Sequence, residues 1–511
     1  MCRLKSLVAI CFVVLLAGCA GGPQTQPPML NLRRLSDQES PLALAARSLE
    51  YIDLVRERVE IANRIADAYI VQERSADASF ILDYAAALAP FSGSSADAVI
   101  ASAETARLYS RVDRNAAALG LLEDAHQRAL AISNDRERGR ALDAVIEAAF
   151  EGGEDSMDLL GHVVESLFVI EDSAVRAQLL TWTAVRYHHS GNRATMNSLM
   201  QQAIPAAGSI ANPWQRAAAI SELAAAYERT GNRDAAISAI DEAVEEIRRL
   251  GNGLAEPADS GYLLQAIANV VLLEQQLSAV ELVERLQQAE QRALALTAVA
   301  VGYGNQQARS AAYIFFSRAV REASLVDTPA ARVRAMMSVA DGYLSIGDAD
   351  LAVIQANGAG STVAQIAEEA EQQEAGRRVV AIYAAAGEVE RAGRFLSELP
   401  EGRPRHAVRV ALARELVHYQ RDADARSLLR AAFGQGQRVA ALAPELAAEV
   451  ALAFAEAGDT ERALDWSTAV EGAADVARAL TALGRRGVTA EQLTAREREL
   501  LLQLQDGLTN R

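Results

Sequence analysis

Between about Tyr69 and Phe454 the chain repeats one arrangement of apolar and polar positions. In the segment Arg216 to Ala243, RAAAISELAAAYERTGNRDAAISAIDEA, residues Ile220, Leu223, Ala224 and Tyr227 fall at helical spacing and make one apolar face. Glu222 and Glu228 lie off that face. Gly231 then suits the left-handed position just past a helix end, and Asn232 suits the cap of a following helix. Ala235, Ala236, Ala239, Ile240 and Ala243 give that second helix its own apolar face. One unit is therefore predicted to be two antiparallel helices joined by a tight turn.

Variants of this unit align on one aromatic or large apolar residue: Tyr69, Tyr109, Phe150, Tyr187, Tyr227, Val271, Tyr303, Tyr343, Tyr383, Tyr419 and Phe454. The spacings run from 32 to 44 residues, a period that marks a solenoid of stacked supersecondary units. Glycine follows the anchor by four residues at Gly191, Gly231, Gly347, Gly387 and Gly458. Alanine precedes it by three at Ala66, Ala106, Ala184, Ala224, Ala268, Ala300, Ala340 and Ala451, and follows by nine at Ala78, Ala118, Ala236, Ala312, Ala352, Ala392 and Ala463. Small residues at fixed places allow helix backbones to approach closely, and large ones elsewhere fill the gaps.

This grammar resembles the tetratricopeptide repeat. The family's order of small residue, Tyr, Ala, large apolar residue and Ala is met by Ala224, Tyr227, Ala236, Ile240 and Ala243. It is met again by Ala66, Tyr69, Ala78, Leu82 and Ala85, with Pro90 where a unit often ends. The period is mostly longer than the family's 34 residues, and the family's early Trp does not recur. The resemblance implies an all-α fold, a right-handed α-solenoid of about eleven antiparallel helix pairs, whose first helices line a concave partner-binding groove. Positions two and six before the anchor would face it: Asn63, Asp67, Arg107, Asn269 and Asp341.

The ends and one interruption read differently. Residues 1–18 carry Arg3 and Lys5, then an apolar run from Leu7 to Ala17, too short for an ordinary membrane span. Leu16-Ala17-Gly18-Cys19 resembles a bacterial lipobox, which implies cleavage before Cys19 and lipid attachment to it. Ala20 in the next position leans toward the outer membrane of a Gram-negative host. Residues 19–39 read as a flexible tether, and Ser40-Pro41 as a first helix start. Units occupying 40–250 and 262–488 flank a loop insertion at 251–261, rich in glycine. Residues 489–511 read as a capping helix opened by the box Thr489 to Gln492.

Composition narrows the function. The formal net charge of −17 becomes −19 once Arg3 and Lys5 are removed, which argues against nucleic acid as partner. The three cysteines are Cys2, Cys11 and Cys19, so cleavage leaves neither a disulfide framework nor a thiolate metal site. Lys5 is the only lysine, which removes phosphate-loop, Schiff-base and general-base lysines from the mature chain. His188-His189 has no third ligand by sequence. Asp348, Asp350, Asp422 and Asp424 stand at turns, where caps explain them. Arg58, Arg176, Arg216, Arg292 and Arg332 each stand eleven before an anchor. They read as entry residues whose stems cover the neighbouring unit, in preference to a ladder for acidic ligands.

No catalytic, cofactor or metal site emerges. The expectation is a lipid-anchored scaffold facing the periplasm that binds envelope proteins in its groove, with the accessory subunit of one assembly or transport machine as the variant that fixes the partner. The rivals are a carrier of a lipid or small molecule inside the superhelix, and an enzyme whose polar cluster only folding would assemble.

Overall fold

A computed structural model describes residues 34–250, 257–433 and 444–509. Among them there are twenty-five α-helices and no strands. Helix α1 (Pro41–Ser48) starts as its sequence dictates. Ser40 accepts from the Ala43 amide and proline fills the first position, where no donor is needed. Eleven helix pairs follow: α2 and α3 (Val55–Val71, Ser75–Leu88), α4 and α5 (Ser95–Ser110, Asn115–Leu130), α6 and α7 (Asp135–Glu151, Met157–Ser166), and α8 and α9 (Ser173–His189, Arg193–Gly208). Next come α10 and α11 (Pro213–Arg229, Arg233–Leu250), α12 and α13 (Pro257–Leu272, Gln276–Val283), α14 and α15 (Ala289–Asn305, Arg309–Ser324), and α16 and α17 (Pro329–Ser345, Ala349–Val363). The last are α18 and α19 (Glu369–Ala385, Val389–Glu398), α20 and α21 (Arg403–His418, Asp422–Phe433), and α22 and α23 (Pro444–Glu456, Thr460–Ser467). Then α24 (Ala473–Arg485) and α25 (Ala495–Thr509) end the chain.

Each even-numbered helix from α2 to α24 packs against the next even-numbered one, and α24 packs back against α2. The solenoid is therefore a closed ring with twelve first helices. Eleven second helices come from the pairs. The twelfth is α1, which packs on α24 and leads into α2 as any second helix leads into the next unit. The twelfth unit is thus built from both ends of the chain. Leu42 and Leu49 are fully buried in it, as are Leu480 and Leu483. A Cβ on Gly484 would lie 2.3 Å from the Leu42 side chain, so glycine there permits the approach. The Gln72 amide donates to the Gly484 carbonyl at 2.6 Å, and Arg478 pairs with Glu57 at 2.5 Å across the same seam. Helix α25 covers α23 and touches α1, burying Leu500, Leu504 and Leu508.

The boundaries expected from composition shift in three places. Residues 34–39, assigned to the tether, are packed: Leu35 is buried, and Ser36 donates through its amide and hydroxyl to Asp77 at 2.9 and 2.6 Å. The insertion expected through residue 261 ends earlier, because Pro257 already opens α12; residues 251–256 lie outside the described residues. The wall of first helices passes from α10 to α12 without a break. The capping box at Thr489 exists but opens only a 3-10 turn, Ala490–Gln492. The last helix starts at Ala495, with Thr494 and Glu497 exchanging side-chain bonds to each other's amides at 3.2 and 2.7 Å. Cys19 and the leader expected at 1–18 lie outside the described residues.

Three anchors were out of register. A helix ending in the left-handed C-cap motif bonds the amide five residues after the anchor to the anchor's carbonyl. That bond runs to Tyr69, Tyr109, Tyr187, Tyr227, Tyr303, Tyr343, Tyr383 and Phe454 as expected, but to Val270 and Leu416 in place of Val271 and Tyr419. Val270 and Leu416 are fully buried, whereas Tyr419 is 43% exposed. In the third unit Ala149 takes the place given to Phe150: Gly153, four residues on, has φ +67°, and the Ser156 hydroxyl takes the Ala149 carbonyl at 2.6 Å. Phe150 and Tyr419 are large side chains near smaller, fully buried ones, whereas Val270 and Val271 are alike in size and differ only in that Val270 is fully buried.

The turn explains its glycines. Gly231 and Gly347 have φ of +78° and +82°, while Glu73, Asp113 and Gln307 hold the same left-handed position near +60° without glycine's freedom. Gly347→Ala is expected to cost about 1 kcal/mol, and Gln307→Gly to gain a few tenths to about 1 kcal/mol. Urea denaturation of the two variants measures these opposite signs; the same sign in both would mean the turn geometry is not what limits them.

Candidate binding site on the inner wall

The five groove residues all lie on first helices, but the structure brings only three together. Asn63 and Asp67 of α2 and Arg107 of α4 share one cavity of about 670 Å³. Asn269 of α12 lies elsewhere and donates to the Ser221 hydroxyl of α10 at 3.0 Å. Asp341 of α16 also lies elsewhere. The protein around its carboxyl pushes that group above the usual carboxylate range, and Arg378 partly offsets this.

The cavity spans the seam. Its walls are α2 and α4, with Arg140 from α6 on one side and Arg485 from α24 on the other. Asp67 is the bridge at its centre, pairing with Arg111 at 2.5 Å and with Arg485 at 2.8 Å. Arg56 reaches Asp97 at 3.3 Å, and Arg64 reaches Glu60 at 2.7 Å one turn away. Arg107 leans toward Glu151 at 3.5 Å. Glu104 is open to water yet sits in a concave wall, and partial loss of solvent raises its pKa, with Arg107 the main opposing influence. Asn63 is 7% exposed; its Oδ1 accepts from the Thr105 hydroxyl at 3.1 Å, and its buried Nδ2 has no acceptor. Sequence reasoning missed Arg64, Arg111, Arg140 and Arg485. They stand five before or two after an anchor, or nine before one, rows that share the inward face with the positions chosen.

Pairs like these link neighbouring first helices elsewhere on the ring. Arg186 meets Asp143 at 2.7 Å, Arg334 meets Glu290 at 2.9 Å, and Arg414 meets Glu456 at 2.7 Å. The Trp182 indole and the Gln265 amide donate to Glu222 from the two sides, at 2.6 and 3.1 Å. Such exposed pairs each contribute at most about 1 kcal/mol. Their greater effect is to fix where charge sits on the inner wall.

The arginines eleven before the anchors do not face that wall. Each guanidinium donates to the carbonyl six residues earlier: Arg58 to Ile52, Arg176 to Ile170, Arg216 to Ile210, Arg292 to Leu286 and Arg332 to Val326, at 2.7 to 3.0 Å. The corrected register adds Arg138 to Ile132 and Arg405 to Leu399, and Gln372 makes the same bond to Ile366 at 3.4 Å. Every accepting residue is a buried aliphatic. The arginine is thus a clamp on the joint between units, a more specific role than covering a neighbour.

Other candidate chemistry is absorbed by structure. Asp348 caps α17 by accepting from the Leu351 amide at 3.2 Å, and Asn232 accepts from the Ala235 amide at 3.3 Å. Asp422 instead takes Arg486 at 2.6 Å, which holds its carboxyl below the usual range. His126 is buried against the Ser166 hydroxyl at 2.8 Å, and burial lowers its pKa. Among the described residues no three His, Cys, Asp or Glu side chains are grouped to hold a metal ion. Among them, too, no helix is long and apolar enough to cross a membrane.

No protein-family model matches the chain, and no curated protein matches it. Solved structures do. Ton1535 from Thermococcus onnurineus is 15% identical over 70% of this chain and 99% of its own, with a TM-score of 0.28. Human IFIT1, solved as a dimer with m7Gppp-AAAA, is 15% identical over 85% of this chain and 95% of its own, at 0.26. A Pyrococcus horikoshii signal transduction ATPase with a tetratricopeptide repeat sensor is 13% identical over 81% of this chain and 66% of its own, also at 0.26. Scores this low carry no argument about ligand or function. The helical-repeat architecture stands on this chain's own paired helices.

Proposed function

We propose that the ring is a lipid-anchored scaffold of the bacterial cell envelope that holds protein partners against its inner wall. One observation carries the binding part of this reading. First helices pack on first helices all round the ring, and charged side chains of neighbouring ones meet along this wall, as in the seam cavity and in the pairs Arg186–Asp143, Arg334–Glu290 and Arg414–Glu456. Repeat arrays with such surfaces characteristically engage other macromolecules. The anchoring part is supported by the lipobox-like sequence at Leu16 to Cys19, joined through residues 20–33 to the ring at Leu35. Attachment at the outer membrane, with the ring facing the periplasm, is the placement that Ala20 favours.

Two experiments separate these parts. Cys19→Ala is expected to move the protein from the membrane fraction to the soluble fraction of cells; retention at wild-type level would end the anchoring proposal. Photoreactive residues at Asn269 and Asp341 are expected to capture a small set of envelope proteins in intact cells. The mature chain holds no lysine for amine-reactive reagents. Capture of the same proteins by a photoreactive residue at Arg193, exposed on the second helix α9, or of none, would defeat the inner-wall scaffold.

A further inference from the structure

The seam cavity has a charge that the rest of the chain opposes. The whole sequence carries −17, yet the cavity lining has six arginines against four carboxylates. Those carboxylates are largely engaged: Asp67 holds two guanidiniums, Asp97 holds Arg56 and Glu60 holds Arg64. Arg140 is exposed with no acceptor, Arg107 has only long contacts of 3.5 Å to Glu151 and 3.9 Å to Glu147, and the Asn63 Nδ2 is buried without an acceptor. Donors outnumber acceptors in a concave, partly desolvated space, where a charge-assisted hydrogen bond is stronger than on an open surface.

We infer that this cavity binds a compact multivalent anion, bearing two or more carboxylate or phosphate groups, held by Arg64, Arg107, Arg111, Arg140 and Arg485 above Asn63. Its volume of about 670 Å³ is that of a small-ligand site. The interspersed carboxylates oppose a long, uniformly charged polyanion, whose repeating charge they would meet again and again. Arg485 belongs to α24 and reaches the cavity only across the seam, so the anion binds the closed ring better than an opened one. Binding then stabilises closure, by an amount that grows with the logarithm of ligand concentration once this exceeds the dissociation constant. This goes beyond the scaffold reading and does not depend on it.

The test is titration calorimetry on the full chain at about 150 mM salt, where exposed charges are screened. The probes are tripolyphosphate, citrate and a hexaglutamate peptide. At least one is expected to bind saturably, with one site per chain, and to raise the melting temperature. The double variant R64Q/R140Q removes two exposed charges that bridge no units and should weaken binding by at least about tenfold. R193Q, outside the cavity, should leave it unchanged, and circular dichroism confirms that both variants are folded. Tighter binding of hexaglutamate than of citrate assigns the anion to an acidic segment of a partner; the reverse, or a preference for tripolyphosphate, assigns it to a free small molecule. Failure of all three probes, or equal binding by R64Q/R140Q and R193Q, overturns the inference. Photocapture at Asn269 and Asp341, outside the cavity, reports on the scaffold separately.

Discussion

Gly484→Val is expected to open the ring. In an ordinary helix the loss of a glycine gains stability, because glycine costs about 0.5–1 kcal/mol relative to alanine. At Gly484 the sign reverses. Its Cβ would lie 2.3 Å from two carbons of Leu42, a fully buried side chain that is not free to swing aside. Overpacking of this kind costs about 1–3 kcal/mol, and a branched residue stands at the upper end. The complementary change, Leu42→Ala, removes the same contact from the other side and should cost about 2–5 kcal/mol. Gly120, on α5 with nothing within 4 Å of its Cβ position, provides the control: Gly120→Ala should stabilise. Small-angle scattering reads the outcome directly. The contacts of α24 with α1 and α2 join the two ends of the chain with no direct chain connection behind them, so their loss should raise the radius of gyration and expose α24 to protease while other units stay folded. Unchanged scattering and melting in both seam variants would show that the ring is not closed in solution.

Arg292→Ala should be the most damaging single change among the joint arginines. Its guanidinium donates to the carbonyls of Leu286 at 3.0 Å and Gln287 at 2.7 Å, and to Glu322 at 2.9 Å. Removing it leaves the carbonyl of a buried residue without its charged donor. The expected cost is about 2–3 kcal/mol, the range for hydrogen bonds to a charged group plus the unmet acceptor. Arg292→Lys should recover little, because one ammonium cannot reproduce the planar fork that reaches all three oxygens. Arg58 makes the equivalent bond in a distant unit, so the double variant should show nearly additive losses. Arg193→Ala should change stability by less than about 0.5 kcal/mol. Urea unfolding of these four variants and of Arg58→Ala compares these values. A full rescue by lysine would reduce the clamp to a simple charge effect.

The helix pairs were legible because their signals are local. Helical spacing of Ile220, Leu223, Ala224 and Tyr227, and glycine at the turn, act within a few residues, and eight of eleven anchors hold the position expected. Phe150, Val271 and Tyr419 failed for a physical reason: burial at the helix end is set by the C-cap, and an apolar side chain one or three residues away, even a large one, can be partly exposed. The misplacement hid a second signal. With Ala149 and Leu416 as anchors, Arg138 and Arg405 join the arginine row, and a buried aliphatic stands six residues before each arginine. Closure was not legible, because no residue in α1 or α24 announces a partner more than four hundred positions away. The cavity depends on that closure, which is why Asn63, Asp67 and Arg107 could be named as facing inward while Arg485 could not.

A solenoid with free ends can gain or lose a unit by duplication or deletion and remain a solenoid. This one cannot. Twelve units returning to their start must each turn by about 30° on average, and a thirteenth would leave α1 facing the wrong helix. Unit number is therefore locked by geometry even where individual units drift in length and sequence. The first and last described segments also meet, with Gln38 and Thr509 lining one shared cleft, so the ring brings the described start and finish of the chain to a single place.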